Sequence, residues 1–324
     1  MYIILIAVFL LIILFLCLLF WAFKTAFMRS EIKIASFDFG PLAKYKSIFE
    51  ESFKYFDTQK SERIYTQSFD GLKLAARYYK NGDSKTTVLL FHGYRSDGRF
   101  DFACVLKYYL ELGLNVLVVD QRATGESEGT IITFGIKESQ DVIAWVRYIN
   151  EKYAPKNIFL SGVSMGASTV MMAADLKMPD NIRGIIADCG FTAAPDIIKK
   201  VALQSFKINA SPILPFLNVL CKIFGRFSLY DTSTVKSLAN SDIPIYFIHG
   251  KNDGFVPCEM TVQSYNAARA EKYIHLVDGA DHGMSFSVEM CYYDFIVLKG
   301  GILCELTEHE LKTPTLCIRL RHTL

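Results

Sequence analysis

Asn157-Ile158-Phe159-Leu160-Ser161-Gly162-Val163-Ser164-Met165-Gly166, continued by the run Ala167 to Leu176, is the stretch whose reading decides the fold. Asn157 to Ser161 reads as a short buried strand, and Ala167 to Leu176 as a small, mostly apolar helix that can pack close to it. The five residues between fit G-x-S-x-G, in which a strand runs into a sharp turn that lifts the serine and a helix starts at once behind it. Gly162 and Gly166 leave room for that crossing. The pattern occurs a second time, as Gly125-Glu126-Ser127-Glu128-Gly129. With three fixed positions, each of about 7% abundance, it should arise by chance in roughly one chain of this length in ten, so the flanks must decide. The first copy also follows a strand, Asn115 to Asp120, but runs on through Thr130-Ile131-Ile132-Thr133, whose β-branched residues start a helix poorly. Its serine lies between two carboxylates, which would oppose the negative charge of acyl transfer, whereas Val163 and Met165 would not. Ser164 is the expected nucleophile and Ser127 a polar turn residue.

Outward from that stretch, strands and helices alternate. Arg63 to Gln67 and Leu72 to Tyr79 flank Asp70-Gly71, a hairpin signal. Val88 to Phe91, Val116 to Asp120, Ile158 to Leu160, Ile182 to Ala187, Ile243 to Ile248 and Tyr273 to Val277 are apolar runs of strand length. Amphipathic stretches lie between several of them; in Ile136 to Tyr153, Val142, Trp145, Val146 and Ile149 share one helical face. The pattern predicts an α/β chain with a mainly parallel, eight-stranded sheet covered by helices on both faces. One interval breaks the rhythm: residues 192–241 hold no convincing strand, three prolines and the apolar block Ile213 to Phe224. It reads either as ordinary packing helices or as a helical cap whose apolar side chains meet a substrate.

Residues 1–23 carry no charged side chain. As a helix they would span about 35 Å, enough to cross a bilayer. No basic n-region and no small-residue cleavage site favour a removed signal peptide. An uncleaved, single-pass transmembrane anchor is expected, with 24–60 a stalk, 61–298 the main domain and 299–324 a tail of no assigned role. Lys24, Arg29 and Lys33 follow the apolar run, so the positive-inside rule favours the cytoplasmic side for the domain. A net charge of +2 and no stripe of basic and aromatic residues argue against a nucleic-acid partner. The eight cysteines are spread singly, without metal-ligand spacing, so no metal is expected.

A serine nucleophile needs a base, and the base an orienting acid. Among six histidines, His282 stands in the loop Gly279-Ala280-Asp281-His282-Gly283, after the last strand and before the helix-like Phe286 to Leu298. His92 and His249 end strands, His275 sits inside one, and His309 and His322 lie in the tail. His282 is the expected base. For the acid, Asp253 follows a strand in His249-Gly250-Lys251-Asn252-Asp253-Gly254-Phe255-Val256-Pro257, with Asp188 as rival and Asp281 too close to His282 to reach its ring. The order Ser164, Asp253, His282 is that of an α/β-hydrolase arrangement.

On these residues, together with His92-Gly93 and the segment Asp120 to Gly129, the chain resembles an α/β hydrolase from about residue 60 to 298, of the bacterial membrane-anchored, esterase-like kind. Thr124 stands where relatives typically have histidine before the glycine. The resemblance implies an oxyanion hole from the backbone N–H groups of Met165 and Tyr94, no cofactor, and a small-molecule acyl ester, thioester or lipid substrate. A serine peptidase on the same fold and a catalytically silent, membrane-tethered binding protein are the alternatives.

Overall fold

The computed structural model describes residues 1–31, 38 and 41–289. The expected tail 299–324, with His309 and His322, and the end of the helix-like run from Phe286 lie outside the described residues.

The chain opens with α1 (Tyr2–Phe27), at 26 residues long and apolar enough to cross a membrane by length and composition. After a 3-10 turn (Pro41–Tyr45) comes α2 (Lys46–Thr58). The hairpin β1 (Glu62–Gln67) and β2 (Lys73–Tyr79) turns at Gly71, whose φ of +91° suits glycine. There follow β3 (Thr86–Phe91), α3 (Gly98–Glu111), β4 (Asn115–Asp120), α4 (Glu138–Tyr153), β5 (Asn157–Val163), α5 (Met165–Met172) and β6 (Ile182–Asp188). The interval before the next strand folds as α6 (Ala194–Phe206), α7 (Leu214–Leu220), a π-helical turn (Cys221–Gly225) and α8 (Thr234–Leu238). The described chain closes with β7 (Ile245–Gly250), α9 (Cys258–Ala267), β8 (Lys272–Val277) and the short α10 (Ser285–Val288).

All eight strands form one sheet in the order β1-β2-β4-β3-β5-β6-β7-β8. The β1–β2 and β2–β4 pairs are antiparallel and the rest parallel. Strand parity sorts the two layers. Val88 and Leu90 of β3 face α2 and α3, whereas Leu89 and Phe91 face α4 and α5. With both faces covered, every residue of β3 and β5 is buried. That is why these strands read as continuous apolar runs. Trp145 is fully buried in the α4 layer.

Within the segment 24–60, the described helix α2 lies against the sheet. Phe49, Phe53 and Phe56 fall at i, i+4 and i+7 of α2 and pack against the α3 side of the sheet. The end of α1 is tied down as well: Phe27 C=O accepts from Ile132 N–H at 2.7 Å, and Arg29 N–H donates to Thr130 C=O at 2.8 Å. The Arg29 guanidinium caps the carbonyls of Ser127 (2.7 Å) and Gly125 (2.6 Å). Leu19, Phe23 and Phe27 are buried in a third apolar cluster with Leu214, Leu217 and Phe227 of the interval between β6 and β7, beside Met165 and Val256.

Candidate active site

β5 ends at Val163 and α5 begins at Met165, so Ser164 alone makes the turn between them. Its φ of +56° is a left-handed conformation that costs a non-glycine residue on the order of 1–3 kcal/mol. The crossing is closed on itself. A Cβ on Gly166 would lie 1.7 Å from the Phe91 carbonyl oxygen, and one on Gly162 would lie 2.2 Å from the Gly166 carbonyl carbon. Only glycine fits either position, and Ser164 is held between the ends of β3 and β6, where its N–H donates to Asp188 C=O at 2.8 Å.

His282 reaches it from the loop after β8. Its Nε2 lies 2.9 Å from Ser164 Oγ and its Nδ1 2.6 Å from Asp253 Oδ2. The Asp253 side chain is fully buried. Its Oδ1 accepts the N–H groups of Phe255 (2.8 Å) and Val256 (2.9 Å). Burial alone would push this carboxyl up, but hydrogen bonds from His249 and His282 hold it well below the usual carboxylate range. An ionised carboxylate only accepts, so Nδ1 of His282 carries the ring proton and Nε2 is free to take one from Ser164. Phe255 packs edge-on against the imidazole, with ring centroids 5.1 Å apart.

The other candidates have different partners. Ser127 is buried, accepts Ala75 N–H at 2.8 Å and donates to the Asp120 carbonyl. Asp188 holds Ser285 Oγ at 2.9 Å, just beyond the His282 loop. Asp281 is engaged by Tyr45 Oη (3.2 Å) and Lys44 Nζ (2.7 Å), facing the segment before α2. His275 pairs with Glu289 at 2.7 Å. His92 is buried between the Gly93 carbonyl, on Nδ1 at 2.8 Å, and Gln121 N–H, on Nε2 at 3.1 Å. Thr124 sets its hydroxyl 3.0 Å from that same Nε2.

Met165 opens α5, where first-turn N–H groups have no intrahelical acceptor and the helix end favours negative charge. Tyr94 follows Gly93, which lies against the elbow: a Cβ there would be 3.4 Å from Ser164 Cβ. The Tyr94 hydroxyl donates to Ala26 C=O at 2.8 Å, and Arg95 caps the carbonyls of Thr25 (2.8 Å) and Met28 (2.9 Å). The last turn of α1 is therefore fastened to the loop beside Ser164.

Two supporting residues escaped the sequence reading. His249 is fully buried, with Nε2 3.1 Å from Asp253 Oδ2 and Nδ1 2.7 Å from Thr261 Oγ1, so it braces the acid from behind. Asp101, on α3, accepts Gly93 N–H at 2.6 Å and the Ser96 hydroxyl at 2.7 Å, fixing the segment that carries Tyr94. A strand-end histidine and a first-turn helix aspartate were the only sequence signals for them. With Tyr94 N–H as the oxyanion donor that the resemblance implies, Asp101→Ala is expected to lower kcat about 10- to 100-fold, as misplacing a donor does, with KM changed by less than about threefold. Steady-state kinetics on a soluble ester, with circular dichroism to check folding, measures the split.

Among the described residues, the group with metal-ligand character is Cys189, Asp253 and His282, whose donor atoms lie within 4.8 Å of one another. Asp253 and His282 are already bonded to each other, and burial pushes the Cys189 thiol well above its ordinary value, away from the thiolate a metal needs. The donor set fits a proton-relay pair better than an ion. A cleft of about 410 Å³, lined in part by Phe69, Lys137, Met172, Arg226 and Lys236, touches none of Ser164, Asp253 and His282.

Comparison with known proteins agrees with this architecture. The model of a family described as alpha/beta hydrolase fold matches residues 86–215. The uncharacterized protein YqkD of Bacillus subtilis is 25% identical over 239 residues, covering 72% of this chain and 77% of its own. An uncharacterized membrane protein of Saccharomyces cerevisiae is 24% identical over 196 residues, 60% of this chain and 64% of its own. The solved structure of the Pyrococcus furiosus esterase Pf2001 is similar with a TM-score of 0.58 at 24% identity, over 75% of this chain and 94% of that one.

Proposed function

We propose that this chain, an α/β hydrolase by fold, is a membrane-anchored serine hydrolase that cleaves acyl esters or thioesters through an acyl-enzyme intermediate. The observation that carries the reading is the continuous relay from Ser164 Oγ through the His282 ring to Asp253, at 2.9 and 2.6 Å. His282 removes the Ser164 proton as Oγ attacks the acyl carbonyl. Asp253 keeps the imidazole in the accepting tautomer and stabilises its charged form. The N–H groups of Met165 and Tyr94 receive the developing oxyanion, a donor pair in which each member is worth about 3 kcal/mol of transition-state stabilisation. The alcohol or thiol leaves with the proton carried by His282, and water, activated by the same base, releases the acid.

Residues 1–23 act as the anchor and 61–298 hold the hydrolase domain, with about 192–241 a cap over its site. Lys24 and Arg29 at the domain end of α1 favour the cytoplasmic side. The apolar surroundings of the site, with Phe27, Phe134 and Phe191 beside Met165, favour an acyl chain over a polar peptide. The test is a panel of p-nitrophenyl esters of rising acyl length. We expect a burst of one p-nitrophenolate per chain and a kcat/KM that climbs with chain length by about 15-fold per two methylenes, given roughly 0.8 kcal/mol for each one buried. A flat series removes the lipid-like substrate, and no turnover with any ester removes the esterase reading.

A further inference from the structure

The interval between β6 and β7 does more than lie over the elbow: it runs alongside α1. Phe216 of α7 meets Phe15 edge-on at 5.3 Å between ring centroids, Phe224 meets Phe20 at 5.9 Å, and Phe206 meets Trp21 at 6.2 Å. About 20 helical residues cross the hydrocarbon layer, so a span starting at Tyr2 extends to about Trp21. Phe15 is nine residues before Lys24, the first charge, which puts it about 13 Å down the helix from that charge. A side chain packed against Phe15 is therefore at the depth of acyl chains when α1 spans the bilayer.

Along this contact the interval keeps apolar side chains exposed. Leu203, Phe206, Phe216, Val219, Ile223 and Phe224 are 49–63% exposed. An apolar surface of this extent marks an interaction site. The same stretch of chain carries Lys199, which pairs with Asp196 at 2.9 Å, and Lys200, Lys207, Lys222 and Arg226 against Asp231, a basic balance suited to anionic lipid headgroups. Behind the surface, Leu214, Leu217 and Phe227 continue the apolar contact inward to Met165 and Val256 beside Ser164.

We propose that α6, α7 and the π-helical turn are embedded beside α1 in one leaflet of the bilayer, so that the cap is a lipid-docking surface and substrate enters the site from the acyl-chain layer. This rests on α1 being a membrane span. The surface is continuous with that span at three aromatic contacts, which favours lipid over a second copy of the chain or another protein.

The test uses the full chain in vesicles of phosphatidylcholine and phosphatidylglycerol, with and without bromine on the acyl chains. In a Trp21→Phe background, buried Trp145 gives a constant baseline, and one tryptophan is added by Phe9→Trp, Phe216→Trp or, on the far edge of the sheet, Tyr273→Trp. Brominated chains should quench the first two at least twofold and leave the third unchanged. Quenching of Phe9→Trp without Phe216→Trp would overturn the embedded cap while leaving the anchor standing. No quenching of Phe9→Trp would remove both. Turnover of a soluble p-nitrophenyl ester by the same vesicles keeps the catalytic reading separate from either outcome.

Discussion

Ser164→Ala is expected to abolish fluorophosphonate labelling and to lower ester turnover by about 10⁵- to 10⁶-fold, whereas Ser127→Ala keeps full labelling. Labelling requires Oγ to attack phosphorus as fluoride leaves, and a base must take the proton. Ser164 has His282 Nε2 at 2.9 Å for that purpose. Ser127 has none: its hydroxyl donates to the Asp120 carbonyl and accepts from Ala75 N–H, so both of its roles are spent on joining the β4 loop to β2. Ser127→Ala should instead cost about 1–3 kcal/mol of stability, the usual penalty for leaving buried partners unmet, read as a drop in Tm. Labelling that survives Ser164→Ala and vanishes in Ser127→Ala would reverse the assignment.

The two copies of G-x-S-x-G show how far the sequence carries. Their difference was legible because it is local: a strand before and a helix after Ser164, and two glutamates beside Ser127. The central strands β3 to β7 were legible for the same kind of reason, since burial on both faces leaves a largely unbroken apolar run, whereas β1 and β2 were legible from the Asp70-Gly71 turn between them. What escaped is long-range. Tyr94 and Arg95 meet the carbonyls of Thr25, Ala26 and Met28 some seventy residues away, and no periodicity records a contact between an aromatic residue and a helix end. Reading 24–60 as a stalk missed that link, and it also passed over the Phe49, Phe53, Phe56 stripe of α2, which a helical period does record. Asp101 and His249 were invisible as supporting groups because each acts on a backbone or carboxylate partner that only the folded chain brings near.

Asp253→Asn carries the second large expectation, a loss of about 10⁴-fold in kcat with KM nearly unchanged, as amide replacement of a triad carboxylate elsewhere gives. The surroundings of Asp253 fix which way the amide must face. Phe255 and Val256 each donate an N–H to Oδ1, so the amide oxygen has to occupy that position. The amide nitrogen is then turned to Nδ1 of His282, 2.6 Å away in the native pair, and two donors cannot share that line. The ring must shift its proton to Nε2, the atom facing Ser164, and it can no longer accept the hydroxyl proton. His249 sharpens the effect: its Nε2 faces the Val256 carbonyl at 3.0 Å and so carries a proton, and, 3.1 Å from Oδ2, it gives the amide nitrogen no second acceptor in place of the ring. The substitution keeps shape and burial, so the fold should persist while the relay runs in the wrong tautomer. Steady-state kinetics give the loss, and ¹⁵N spectra of the histidine ring give the tautomer. Normal turnover with the proton still on Nδ1 would show that Asp253 does not set the base.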